Sequence, residues 1–184
     1  MIHVEMFIEY FYNFMKNEYK DRIDKANVYD AALRTPLEKQ LNLSKRFNNN
    51  ILLKREDLQP VFSFKIRGAY NKMKNLSDEN LLNGVIACSA GNHAQGVALA
   101  AKILECKATI VMPKTTPIIK INAVESHGAK VVLHGETLHE CFDHALGIQK
   151  KQGSIFVHPF DDPEVIAGQG TIAKEILEDY SRPI

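Results

Sequence analysis

The chain has 184 residues, 45% of them hydrophobic and 24% charged, which is the composition of a folded globular protein rather than a disordered one. Lys and Arg number 23 against 22 Asp and Glu, so the net charge is +1, without the basic excess or stripe of a nucleic-acid binder. No apolar run approaches the ~20 residues of a membrane span, and the first twenty residues mix acids with apolar side chains instead of opening on a basic secretion signal. The three cysteines, Cys88, Cys106 and Cys141, are widely spaced and form no CxxC pair. The expectation is a soluble, cytoplasmic chain with reduced thiols and no membrane or nucleic-acid partner.

In chain order, the pattern predicts an amphipathic helix over about 6–33, a capped segment LSKRFNN, and a turn at the Asn run 48–50. A strand follows over 51–57, then a helix over 63–75 packed through Phe64, Ala69, Tyr70 and Met73. From residue 84 the chain alternates between two periods. GVIACSA (84–90), KATIVMP (107–113), AKVVLHG (129–135) and SIFVHPF (154–160) read as short buried strands. Between them lie helices at 92–104, from Thr116-Pro117 with a cap and a first-position proline, and from a capping box spanning Thr137 to Glu140 up to Gly153. Asp162-Pro163 opens a last helix toward Tyr180. This βαβαβαβα order predicts an α/β fold with a parallel sheet covered by helices. The chain stops at SRPI, where the alternation calls for another strand, so it reads as the front part of a longer, truncated fold.

Three segments bear on chemistry. In LKREDLQPVFSFKIRGAYNKM, Lys65 stands between Phe64 and Ile66. Apolar neighbours disfavour the charged amine, making it a better nucleophile toward an aldehyde cofactor; the alternative is a lysine that snorkels to water. SAGNHAQG (89–96) follows a strand and opens a helix, so its free N–H groups offer a place for a phosphate or carboxylate. There Asn92 suits a polar ring substituent, and His93 or Ser89 a carboxylate; the alternative is a tight turn with a capping serine. GQGTIA (168–173) matches G-x-G-x-x-A but lies inside a helix rather than directly after a strand, which points to close helix packing and away from a nicotinamide site. HECFDH looks rich in metal ligands, yet His139 and His144 are about 140° apart around a helix, so no metal site is expected.

SFKIRGA followed by SAGNHAQG resembles the pyridoxal-phosphate enzymes of the tryptophan-synthase β type (fold type II). The flanking KREDLQPVFSFKIRGAYNKM is similar to the biosynthetic threonine dehydratases, and the similarity runs from about Val28 to Tyr180. The resemblance implies three-layer parallel sheets and pyridoxal 5′-phosphate held covalently by Lys65, with Asn92 and Phe64 contacting the cofactor. It implies that Ser89, Gly91, Asn92 and His93 receive the substrate carboxylate. It divides the chain into the start of a large domain (1–53), a small domain (54–158) and a return into the large one (159–184).

The reaction so implied takes L-threonine, with L-serine as an alternative, to 2-oxobutanoate and ammonia at the first step of isoleucine biosynthesis, Lys65 removing the α-proton. A tetramer is expected of the complete enzyme. Ala90 stands where racemases of this fold carry a serine, which favours elimination. The family's glycine-rich phosphate loop is expected shortly beyond Ile184. The alternatives are a non-catalytic truncated remnant or another β-eliminating relative, such as a serine or catabolic threonine dehydratase.

Overall fold

The computed structural model describes residues 18–181. A helical stretch, residues 18–25 (α1), precedes a small antiparallel pair made by β1 (Leu37–Lys39) and β2 (Leu52–Lys54), with the helix α2 (Leu41–Phe47) between them. A 3-10 turn (Glu56–Leu58) leads to α3 (Lys65–Lys74) and α4 (Asp78–Asn83). The main body follows as β3 (Val85–Cys88), α5 (Asn92–Ile103), β4 (Ala108–Met112), α6 (Ile118–Glu125), β5 (Lys130–Leu133), α7 (Leu138–Gln152), β6 (Ile155–Phe156) and α8 (Pro163–Asp179).

Strands β3 to β6 form one parallel sheet in the order β5-β4-β3-β6. The chain steps outward from β3 to β5 on one side, and α7 then carries it back to lay β6 on the other side of β3. Strand order therefore reverses between β3 and β6. In open α/β sheets the crevice beyond the carboxyl ends of such strands is where ligands bind.

Strands β3 and β4 are largely apolar on both faces because helices cover both, whereas the edge strand β5, expected to be buried, leaves Lys130 and Leu133 exposed. All four residues of β3 are buried: Val85 and Ala87 join the core with Ala94, Val97 and Ile110, while Ile86 and Cys88 join Val111, Cys141 and Ala145 under α7. Cys88, Cys106 and Cys141 are free thiols. The capping box of α7 is present: Glu140 N donates to Thr137 Oγ1, and Glu140 Oε2 accepts from Thr137 N at 3.0 Å. The helix ends at Gly153, whose φ of 70° suits glycine. Asp162 caps α8 by accepting from Glu164 N and Val165 N, with Pro163 in the first turn.

Several expectations need correction. The long helix foreseen over 6–33 falls partly outside the described residues; within them, helix ends at residue 25 and a turn follows, where Val28, Ala31 and Ala32 are buried as core. The foreseen strands 51–57 and 154–160 shorten to Leu52–Lys54 and Ile155–Phe156, because the first runs into the 3-10 turn at Glu56–Leu58 and the second into the turn before α8. α2 has no side-chain cap; Ser44 Oγ instead accepts from Ile51 N at 2.9 Å. Pro117 is itself the cap residue of α6, and the Thr116 hydroxyl is buried without a partner. β1 and α4 had no counterpart in the sequence reading. β1 is too short to show a period, and α4 is a six-residue helix whose signal is the Ser77 cap, which accepts from Asn80 N.

Candidate active site

Lys65 is the first residue of α3, and its Nζ donates to the Pro159 carbonyl at 2.6 Å. That carbonyl lies in the turn between β6 and α8, so the lysine reaches the crevice where strand order reverses. Burial pushes its pKa down from the ordinary lysine value, and among the described residues no carboxylate offsets the effect. The Phe64 ring lies 5.3 Å from Nζ. Phe64 is not the packing residue expected of it: it sits at the helix cap, 39% exposed, while Ile66, Ala69, Tyr70 and Met73 fill the core. The chain enters α3 through Phe62, whose φ of 56° is unusual for a bulky residue, and through Ser63, whose hydroxyl accepts from Lys65 N.

The second wall is the loop after β3. Ser89 Oγ accepts from Gly91 N at 3.3 Å, folding the turn back on itself instead of capping α5, which has no side-chain cap. A Cβ on Gly91 would meet nothing within 4 Å, so this glycine faces open space. Gly96, one turn into α5, is the opposite case: a Cβ there would lie 3.1 Å from the backbone of Lys65. Its lack of a side chain lets α5 press against the start of α3 and brings the lysine and the loop together. Asn92 stands exposed in the first turn of α5.

His93 is placed differently from the carboxylate donor that its motif suggests. Its ring is 3% exposed, Nε2 bonds to the Val157 carbonyl at 2.9 Å, and Nδ1 is buried without a partner. Burial, with Lys65 and His158 nearby, lowers its pKa to about 4, so the ring is neutral at physiological pH. What His93 offers at the helix start is its backbone N–H.

Beneath the lysine lies a cluster that the sequence reading missed. The fully buried Arg67 guanidinium binds Glu56 twice at 2.8 Å, Glu175, Thr171 Oγ1 and the Leu33 carbonyl. Glu175 also takes Tyr29 OH at 2.8 Å and the Lys54 ammonium at 2.7 Å. Burial works against both charges, but the mutual bonds prevail, raising the pKa of Arg67 and lowering that of Glu175. The glycines of GQGT serve this contact. A Cβ on Gly168 would sit 2.5 Å from the Arg67 carbonyl, and one on Gly68 would sit 2.7 Å from the Val165 carbonyl. The segment thus packs α8 on α3. Of the other motif, His139 is exposed, whereas the His144 ring stacks on His134 with centroids 3.8 Å apart.

A family model described as pyridoxal-phosphate dependent enzyme matches residues 28–184. The biosynthetic L-threonine dehydratase of Burkholderia multivorans is 54% identical over 171 residues, covering 91% of this chain and 34% of that protein. The processed form of threonine deaminase isoform 2 from Solanum lycopersicum superposes with a TM-score of 0.85 at 55% identity, over 89% of this chain and 48% of that one. Maize serine racemase superposes with a TM-score of 0.85 at 32% identity, over 88% of this chain and 50% of that one. The chain thus spans about half the length of these solved structures and about a third of the Burkholderia relative. With the match running from Val28 onward through the lysine and its facing loop, the chain belongs to the family of pyridoxal-phosphate-dependent enzymes.

Proposed function

We propose that this chain carries the lysine and the carboxylate-binding loop of a threonine dehydratase, which converts L-threonine to 2-oxobutanoate and ammonia at the head of isoleucine synthesis. The observation that carries the reading is Lys65: an amine held by a neutral carbonyl, its charge disfavoured by burial, beside an open helix start. These residues fit pyridoxal 5′-phosphate. Lys65 would hold it covalently, Phe64 and Asn92 would line it, and the space beside Gly91 leaves room for it. When bound, the cofactor supplies an aldehyde for amines to add to and a ring that takes up the charge left by a departing proton.

The chain's own residues then position and transfer. The backbone N–H groups at the start of α5, with Ser89 and Gly91, receive the substrate carboxylate at the positive end of the helix dipole. That anchor turns the Cα–H bond toward Lys65. Its amine, whose charged form burial disfavours, takes the proton when it is free. Holding the reacting groups in line is worth up to ~7–11 kcal/mol in the best intramolecular cases. The same proposal includes a cytoplasmic location, a domain division near residues 53 and 158, and a tetramer for the complete enzyme.

The test is cofactor trapping followed by product analysis. The chain is incubated with pyridoxal 5′-phosphate, reduced with borohydride and mapped by mass spectrometry. Label concentrated on Lys65 and lost in Lys65→Ala is the expected result; label spread over many lysines would sink the reading. The likeness to maize serine racemase favours racemisation as the second reading, and Ala90 opposes it. Release of 2-oxobutanoate from L-threonine without D-serine from L-serine decides between them.

A further inference from the structure

We infer that His158 is a positioning residue for Lys65, acting through the turn that joins β6 to α8; this rests on reading Lys65 as the reactive amine. His158 Nδ1 accepts two backbone N–H groups, from Asp161 at 2.7 Å and from Phe160 at 3.3 Å. A side-chain acceptor that takes the N–H groups two and three residues ahead is the arrangement Asn and Asp make in tight turns. Here an imidazole makes it, which requires Nδ1 to be unprotonated and puts the ring proton on Nε2. Phe142, Phe156 and Phe160 surround the ring with centroids at 6.3, 6.2 and 4.7 Å, so it is fixed in place.

The consequence for Lys65 follows from peptide geometry. The Phe160 N–H and the Pro159 carbonyl belong to one peptide unit, and in a trans unit they point in opposite directions. Fixing the N–H on His158 therefore aims the carbonyl the other way, at Lys65 Nζ. Pro159 adds no N–H to the turn, so the N–H groups that pin it to a side chain are those of Phe160 and Asp161, both on His158. An amine that gives one hydrogen to a fixed carbonyl has its lone pair confined to the two remaining tetrahedral positions instead of all three. Two residues earlier in the same turn, the Val157 carbonyl holds His93 of the facing loop. The turn thus indexes the lysine and the carboxylate loop to one another.

The test is borohydride trapping of pyridoxal 5′-phosphate on the full chain, read as the share of label on Lys65 relative to the other lysines. His158→Phe fills the aromatic surround but removes the acceptor; His158→Asn is smaller but restores an acceptor at the right place. With folding checked by circular dichroism, His158→Phe is expected to lower the Lys65 share on the order of tenfold, through loss of orientation, and His158→Asn to recover most of it. An unchanged share in His158→Phe overturns the inference while leaving Lys65 as the trapped residue. Equal losses in the two variants also overturn it, because packing rather than hydrogen bonding would then matter. If His158→Phe does not fold, His158→Asn decides alone: a share near the parental one supports the inference and a tenfold drop overturns it. No preference for Lys65 in the parent chain defeats the assignment of Lys65 and the inference with it.

Discussion

His93 stores a pH dependence in a single ring. Unfolded, it takes a proton near its ordinary pKa of 6.5; folded, it does so only near 4, because burial opposes the charge. Between those values the unfolded chain binds more protons, so stability falls as pH falls, by about 3 kcal/mol once both forms are protonated. Urea unfolding at pH 7 and pH 4.5 measures this slope. His93→Gln, which keeps a donor for the Val157 carbonyl but does not titrate, is expected to flatten it. Lys65 behaves in the complementary sense. Its lowered pKa leaves more free amine at a given pH than Lys20 has, whose bond to Asp24 raises its pKa, so trapping on Lys65 should reach a plateau at lower pH than trapping on Lys20. A shared plateau would show that the amine is an ordinary surface group.

The helices differ in how their places are set. α7 is specified locally: Thr137→Ala removes one partner of an exposed capping box, should cost about 1 kcal/mol, and should leave trapping on Lys65 unchanged. α8 is specified by contact. Gly168→Ala would drive a methyl group into the Arg67 carbonyl and the Cα of Gly68, a cost of about 1–3 kcal/mol in a denaturant titration, and should also reduce trapping on Lys65 because α3 must give way. The same contrast explains what the sequence disclosed. The strands at 85–88, 108–112 and 130–133 announce themselves by apolar runs, and α7 and α8 by caps. SFKIRGA and SAGNHAQG are the two segments that the structure brings together, where Gly96 meets the backbone of Lys65. The Pro159 carbonyl was illegible because it is a backbone atom, and the partners of Arg67 because Thr171 and Glu175 lie 104 and 108 positions away and Glu56 belongs to a separate turn. The side-chain direction of His93 was misjudged because spacing places a residue on a helix start without saying which neighbour its ring meets.

Across the whole molecule, the lysine helix is held between two distant parts of the chain. The Arg67 cluster ties it to the β1–β2 region and to α8, and the Pro159 carbonyl ties its first residue to the end of the sheet. Arg67→Met leaves Glu56 and Glu175 without their shared cation, and breaking a buried pair in this way costs about 3–5 kcal/mol. A loss within the range of a surface substitution would mean that Lys54 and Tyr29 suffice for Glu175. The contacts that place Lys65 close long loops: Lys65 and Pro159 are 94 positions apart, and Arg67 and Glu175 are 108 apart. Closing loops of that length precedes any gain from the contacts they bring, so such contacts are made late. During synthesis the lysine emerges from the ribosome long before its carbonyl and its acidic partners exist. Until α8 has been made it is chemically one lysine among many, and the newborn chain meets any aldehyde without a selectively reactive amine.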